Sequence, residues 1–472
     1  MQDQVLLINP AREKFGGVMS RYAIVGIPVA IGTIGGFLEA EGFPVRFVDE
    51  EFGELTPLLL EEKLQGMERP YIVGITTLTS QMERAWDLAR MIKARHPDAV
   101  ILFGGLHVTA LPQESFDRCP VDYVVRGEGE RVAVDLVRAI REGKDPRELP
   151  GLSYRAESGE IVNNPDATLI ANLDTVPFFP YEKFRDHTYE MGFIITSRGC
   201  PYKCNFCSQR IMTGVTYRYK SNERILEEMD LLINRYGQKS LYFYDDNFGV
   251  NKRRVKALCK AIVEARLHEK CAFAVQMRCD NVDEEMFAAM RGANFNNVGF
   301  GIETASERLL DKVSKGETRD KHMRALMMAT KHKFNISAMM IMGFPEENDE
   351  DRRVSFRFVM DNPIQFSKFN NLIPYPGTPV YEDVRNSGRL FIAPAYRNFN
   401  STLSLTRSIF DTEPLPYVPE GIEELDLKKT IIRCNLRFYF SARTLKGIFR
   451  RDRGIAWIQL PQGWYLKPKE YW

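Results

Sequence analysis

The chain has almost no net charge. Its 64 Lys and Arg stand against 63 Asp and Glu, a formal balance of +1, so electrostatics give no case for nucleic acid as the main partner. It has no run of roughly 18 apolar residues, the length a membrane-spanning helix needs. The first residues, Met1-Gln-Asp-Gln-Val, lack the basic and apolar regions of a signal peptide. Cysteine is scarce: of 8 in 472 residues, three are clustered and five scattered. That pattern excludes the disulfide framework of a small secreted domain. Together these absences predict a cytoplasmic protein with no transmembrane segment and no nucleic-acid partner. The 44% hydrophobic content supports a sizeable core, and the length predicts two or three domains.

What is present is organised. Residues 1–145 alternate apolar strands with helical patterns. The strands are expected at Val5-Leu-Leu-Ile-Asn-Pro, Val45-Arg-Phe-Val-Asp, Tyr71-Ile-Val-Gly-Ile-Thr, Ala99-Val-Ile-Leu-Phe-Gly-Gly and Asp122-Tyr-Val-Val-Arg-Gly. Ala30, Ile31, Ile34, Phe37 and Leu38 recur at helical spacing before Gly42, and a second helix is expected over residues 81–94. The pattern predicts an α/β domain, a doubly wound parallel sheet that binds a ligand at its carboxyl edge. That edge carries Asn9-Pro10, Thr76–Ser80, Gly104–Thr109 and Gly127–Glu130, which are small, hydroxylated or glycine-rich. Each alone reads as ordinary turn chemistry; four on one edge favour a ligand site.

Residues 146–190 read as a connector, with a hairpin about Ser158-Gly159 and a stiff apolar link from Pro177 to Tyr181. Residues 191–390 carry a second αβ series, with strands expected at 192–197, 240–244, 272–278, 297–302, 335–342 and 367–373. Six βα units suggest a partial, TIM-like barrel, whose chemistry would sit at the C-terminal strand ends. Residues 391–472 leave this alternation and read as a mainly helical extension, helical over 420–449. Its last stretch, Trp457 to Trp472, holds three of the four tryptophans. Such a tail covers a substrate, touches a membrane surface or packs on its own barrel.

Cys200, Cys204 and Cys207 lie in Thr196-Ser-Arg-Gly-Cys-Pro-Tyr-Lys-Cys-Asn-Phe-Cys, spaced C-x3-C-x2-C after an apolar strand. Structural zinc competes for close cysteines, but no second C-x2-C or H-x3-5-H exists here. Cys119 and Cys434 read as packing residues, Cys259 as core on an apolar helix face, and Cys271 as the start of a strand. Cys279 reads as core or as facing the barrel mouth. A four-iron cubane takes four ligands, usually thiolates. Three from the protein leave one iron open to a substrate or cofactor.

This segment closely resembles the radical S-adenosylmethionine (SAM) enzymes. The resemblance implies a 4Fe–4S cluster on Cys200, Cys204 and Cys207 whose open iron chelates SAM. It implies one-electron cleavage of SAM to a 5′-deoxyadenosyl radical, which takes hydrogen from an unactivated carbon. It also implies an external reductant of the flavodoxin or ferredoxin type. Phe206 would shield the cluster and approach the adenine. Asp245 and Asp246, after the second barrel strand, would meet the methionine ammonium, or else cap a solvated helix. Glu303, in Gly299-Phe-Gly-Ile-Glu-Thr304, Met342, in Met342-Gly-Phe-Pro-Glu346, and Gln276 and Arg278 would complete the SAM contacts.

The runs Gly26–Gly42, Phe103–Pro112 and Val124–Glu130 resemble cobalamin-binding radical SAM proteins, such as class B methylases and the anaerobic magnesium-protoporphyrin monomethyl ester cyclase. The resemblance covers roughly residues 3–390 and implies a Rossmann-like cobalamin-binding domain. It implies cobalamin contacts from Asn9, Thr76, Thr77, Leu78, Thr79, Gly104, Gly105, His107, Gly127 and Glu128. The D-x-H-x-x-G motif that supplies a cobalt-ligating histidine elsewhere is absent. Thr77, Leu78 and Thr79 are poor cobalt ligands. The expectation is base-off cobalamin with no histidine ligand, His107 being a cofactor contact or a simple hydrogen-bonding residue.

The expected activity is a cobalamin-dependent radical SAM methyltransferase: one SAM methylates the cobalamin and a second yields the radical. Its substrate would be a small molecule, hydrophobic or tetrapyrrole-like. One alternative is a cyclase, oxidase or rearrangement enzyme with the same cofactors. Another is a radical SAM enzyme whose first domain is an empty interaction module. A third is an electron-transfer protein.

Overall fold

The computed structural model describes residues 2–11, 25–185, 189–399, 413–442 and 444. Five short strands open the chain: β1 (Val5–Asn9), β2 (Val45–Asp49), β3 (Ile72–Thr76), β4 (Val100–Gly104) and β5 (Tyr123–Val125). Between and after them run α1 (Val29–Ala40), α2 (Met82–Arg95) and α3 (Glu130–Arg141). The strands pair in parallel in the order β2-β1-β3-β4-β5. β1 therefore sits where the strand order reverses, the place where such sheets bind ligands. Ile31 and Leu38 of α1 pack with Val137 of α3 on one face, while Trp86, Leu88 and Ile92 of α2 fill the other. The doubly wound reading holds.

The hairpin expected in the connector is present as β6 (Leu152–Arg155) and β7 (Ile161–Asn163). It is not free-standing. β6 pairs antiparallel with β5 and extends the first sheet to seven strands. The first sheet thus runs to Asn163, beyond the boundary at 145, because the free edge of β5 needs a partner. The apolar link then packs on α1. Gly32 is required there: a Cβ on it would lie 1.9 Å from the Phe179 ring.

The second sheet holds β8 (Phe193–Ile194), β9 (Ser240–Phe243), β10 (Ala272–Met277), β11 (Phe295–Glu303), β12 (Asn335–Met342) and β13 (Phe366–Asn371). All are parallel and adjacent in chain order. The outer strands β8 and β13 do not pair with each other, so this is an open barrel. β8 is shorter than the expected 192–197, since Ser197–Arg198 leave it to pair antiparallel with Arg218–Tyr219. The helix α4 (Glu424–Tyr439), within the expected 420–449, closes the β13 edge. Its Asn435 accepts from Phe369 N at 3.1 Å and donates to Phe369 O at 2.9 Å, as another strand would. The tryptophan-rich stretch 457–472 lies outside the described residues. Among the described residues no helix is long and apolar enough to cross a membrane.

Side chains alternate between the faces of each strand. Phe243, Phe273, Val275, Phe300, Met340 and Phe369 form one core with the surrounding helices. Residues of opposite parity, such as Tyr242, Gln276, Gly299 and Met339, therefore face the barrel interior.

Candidate functional site

The cysteine run begins where β8 ends. Asp245, just beyond β9, holds its first two residues: its carboxylate accepts from Thr196 N and Oγ1 at 2.6 Å and from Ser197 N and Oγ at 3.1 and 2.7 Å. Arg254 Nη1 lies 3.8 Å from it. With both oxygens so occupied and the side chain buried, Asp245 is an anchor of the loop. Asp246 accepts from Gly199 N at 2.7 Å. Burial pushes its carboxyl up to about 6. Gly199 takes φ +88°, and a Cβ there would lie 1.9 Å from Thr216 O, so only glycine fits this bend.

The three sulfurs follow, each half-buried. Asn247 Nδ2 lies 3.9 Å from Cys200 Sγ, and Arg278 Nη1 donates to Cys204 Sγ at 3.6 Å. Burial pushes all three thiols up, Cys207 to about 11, so a bound cation must supply the field that holds them as thiolates. Among the described residues, the one trio of His, Cys, Asp or Glu with ligand atoms within 4.8 Å of one another is Cys279, Glu317 and His322. The sulfurs of the run are therefore spread wider than the roughly 3.8 Å that 2.3 Å bonds to one tetrahedral zinc would impose. A multi-iron cluster fits that spread. The buried trio itself lies beside two cations: Lys315 Nζ is 3.4 Å and Arg278 Nη2 4.0 Å from Glu317.

Phe206 packs edge-on against Phe344 with centroids 5.6 Å apart, next to the cysteines. Gln276 faces the barrel interior and accepts from Tyr242 OH at 3.1 Å. Glu303 ends β11 at φ +64°; burial pushes its carboxyl up, against Lys315 Nζ at 3.4 Å. Arg278 is committed elsewhere: it grips Asp280 at 2.9 and 2.8 Å, donates to Lys315 O at 2.7 Å and stacks on Tyr202 at 3.7 Å. Met342 is fully buried in the helix-side core. Met342 thus has no exposed side-chain surface, while Arg278 keeps Nη1 on Cys204 Sγ, beside the cluster loop.

A cavity of about 520 Å³ connects the two sheets. From the first it takes α1, through Ala30 and Ile34, and the strand ends Thr76, Gly104, Gly105, Gly127 and Glu128. From the second it takes Arg198, Ser208, Gln209, Met212 and Asp246, all in or beside the cysteine loop. Sequence reasoning missed this second wall, since nothing in the residues just after Cys207 signals that they face another domain. Glu130 Oε2 and Gln209 Oε1 belong to lining residues and are buried without a hydrogen-bond partner. A ligand rich in amide groups would satisfy both.

Five of the expected cobalamin residues do not line this cavity. Asn9 is bonded to Asp49 and Gln81 at 2.9 and 3.2 Å. Thr77 is buried and donates to Gly104 O at 3.0 Å. Thr79 and His107 bond each other at 3.3 Å, and the other His107 nitrogen meets Glu114 at 3.3 Å. His107 is 0% exposed, with both ring nitrogens hydrogen-bonded. Leu78 is 39% exposed on the loop after β3. Glu128 lines the cavity but is bound to Arg218 at 2.8 and 2.7 Å.

The model of the Radical SAM superfamily matches residues 194–359, and that of the B12 binding domain matches residues 17–137. An uncharacterised methyltransferase of Pyrococcus horikoshii is 32% identical over 385 residues, covering 80% of this chain and 82% of its own length. The chain belongs to the cobalamin-binding radical SAM superfamily. It is an enzyme of that superfamily, and its cofactors are a 4Fe–4S cluster, SAM and cobalamin. The anaerobic magnesium-protoporphyrin IX monomethyl ester cyclase of Cereibacter sphaeroides is 24% identical over 460 residues, covering 94% of this chain and 74% of the relative. The fold matches the radical SAM methyltransferase TsrM of Kitasatospora setae, solved with cobalamin and a 4Fe–4S cluster bound. The TM-score is 0.70 at 21% identity, over 93% of this chain and 82% of that one.

Proposed function

We propose that this radical SAM enzyme is a methyltransferase that alkylates an unactivated carbon of a small molecule. The observation that carries this reading is the cavity of about 520 Å³ whose walls come from both sheets and include Ser208 and Gln209, immediately after the third cysteine. A group held there faces the cysteine loop directly. When bound, the cluster supplies the electron that cleaves SAM to a carbon radical, and cobalamin supplies a methyl group.

The chain's own residues position these groups. Cys200, Cys204 and Cys207 hold the iron, with Phe206 packed beside them. Gln276 and Glu303 line the SAM side. Thr76, Gly104, Gly105 and Gly127 form the corrin wall. Cobalamin held here would be base-off without a histidine ligand; the absence of that ligand is supported by His107 having both ring nitrogens bonded at 3.3 Å. The first body, to Asn163, is the cobalamin domain. A flavodoxin- or ferredoxin-type donor in the cytoplasm supplies electrons.

A second reading, cyclisation or oxidation with the same cofactors, draws support from the cyclase relative that covers 94% of this chain. SAM carrying a deuterated methyl group, given to the anaerobically reconstituted enzyme with a reductant, separates them. Label recovered on the corrin together with S-adenosylhomocysteine supports methyl transfer. Formation of 5′-deoxyadenosine with no S-adenosylhomocysteine sinks it.

A further inference from the structure

Lys368 sits near the middle of β13 and is 8% exposed. Its neighbour Phe369 points outward: its ring meets Phe356 at 5.8 Å, and Asn435 brackets its backbone. By strand alternation Lys368 points into the barrel. Its register partner on β12 is Met339, an interior residue. That interior is not filled. Gln276, Ser337, Met339 and Ile341 are half-buried, and Tyr244, just past β9, is 45% exposed.

Among the described residues the Lys368 ammonium makes no hydrogen bond and no ion pair. Every other lysine buried to this degree in the barrel has a partner: Lys220 has Glu228 at 2.6 Å, and Lys315 has Glu303 and Glu317 at 3.4 Å. Burial alone lowers Lys368 to about 8, with no carboxylate near enough to oppose it. At neutral pH the group remains charged. Two residues along the same strand, on the same face, Asn370 Oδ1 is buried without a partner. An unpaired buried charge is among the costliest features a fold can carry. An anion in the space beside it would offset that cost.

We propose that Lys368 holds an anionic group of the substrate, a carboxylate or a phosphate, inside the barrel. The inference deepens the methyltransferase reading and rests on it for the word substrate. Lys368 lies three residues before the C-terminal end of β13, roughly 10 Å at about 3.3 Å per residue. The anion therefore anchors the molecule from below and leaves its carbon skeleton directed at the barrel mouth, where the cysteine loop stands. SAM also carries a carboxylate, so the test must separate the two sources.

The test follows Lys368 itself. The anaerobic holoenzyme, with lysines reductively methylated by 13C-formaldehyde, is titrated by NMR, and Lys368→Arg assigns the signal. Benzoate is the anionic probe and benzamide its neutral match. Benzoate is expected to raise the Lys368 midpoint by a pH unit or more, because an anion favours the charged form, while benzamide leaves it unmoved. An equal response to both probes, or none to benzoate, overturns the proposal. A rise produced by SAM alone, which benzoate does not add to, assigns the anion to the cofactor and overturns it as well. No step of the readout depends on methyl transfer, so its failure is distinct from failure of the methyltransferase reading.

Discussion

Arg278 donates a hydrogen bond to Cys204 Sγ at 3.6 Å while Asp280 clamps its other side at 2.9 and 2.8 Å. A cationic donor at a cluster sulfur stabilises the reduced, more negative state, and such hydrogen bonds help set cluster potentials. Glu317 fixes the local geometry, accepting from Asp280 N at 3.0 Å with His322 at 3.2 Å behind it. Replacing Arg278 by Gln is expected to shift the cluster midpoint negative by tens of millivolts. Lys at the same place keeps charge but loses the planar fork, and its midpoint should fall between the two. Redox titration followed by electron paramagnetic resonance measures this. An unchanged midpoint in Arg278→Gln would remove the assigned role.

The two cofactor sites should be separable. Cys204→Ala is expected to abolish cluster absorbance and SAM cleavage while cobalamin is still retained after desalting. The converse variant is Gly104→Leu. Gly104 lines the cavity, and a Cβ there would meet nothing closer than Val125 O at 3.7 Å, so the leucine side chain enters open space. Corrin retention should drop at least tenfold with cluster content unchanged. Loss of both cofactors in either variant would mean that the two bodies fold around them jointly.

Much of this was legible in the sequence. The strand-helix alternation placed both sheets, and the spacing of Cys200, Cys204 and Cys207 pointed to the iron. What escaped was commitment of polar side chains to tertiary partners. Asp245 and Asp246 are adjacent, yet one is saturated by Thr196 and Ser197 and the other borders the cavity. Their difference arises only when β8 and β9 pair. Met342 follows a readable parity with Met340, but parity needs one residue of known face to anchor it. His107 looked available because Thr79 and Glu114, which take its nitrogens, are 28 and 7 residues away.

Glu128 is the clasp between the bodies. It accepts from Arg218 at 2.8 and 2.7 Å and lies 3.4 Å from Arg198. Burial pushes its carboxyl up, but the Arg218 hydrogen bonds and the two guanidinium charges outweigh this and hold it below its ordinary 4.5. A lowered folded value means the clasp's contribution is present above about 4.5 and is lost as pH falls through that lower value. Glu128→Ala strands a buried Arg218 and should cost about 3–5 kcal/mol at pH 7. Urea unfolding at pH 7 and again in acid checks both. The wild-type and variant curves are expected to converge as the carboxyl protonates.

Lys368 should weaken the fold it belongs to. Its lowering from 10.5 to about 8 corresponds to roughly 3 kcal/mol against the charged form. In a chain stabilised by only ~5–15 kcal/mol, that is a large sacrifice. Lys368→Met conserves the unbranched stem and removes the charge, so the cofactor-free variant should be more stable than wild type by about 1–3 kcal/mol at pH 7. The sign with pH follows from the lowered value. Between about 8 and 10.5 the unfolded chain binds a proton that the folded one does not, so wild-type stability rises with pH across that window. The advantage of the methionine variant should shrink over the same range and vanish above it. Denaturant unfolding of the two proteins at pH 7 and pH 10 measures the gap. A variant less stable than wild type at pH 7 would mean that Lys368 already has its counter-charge within the folded chain.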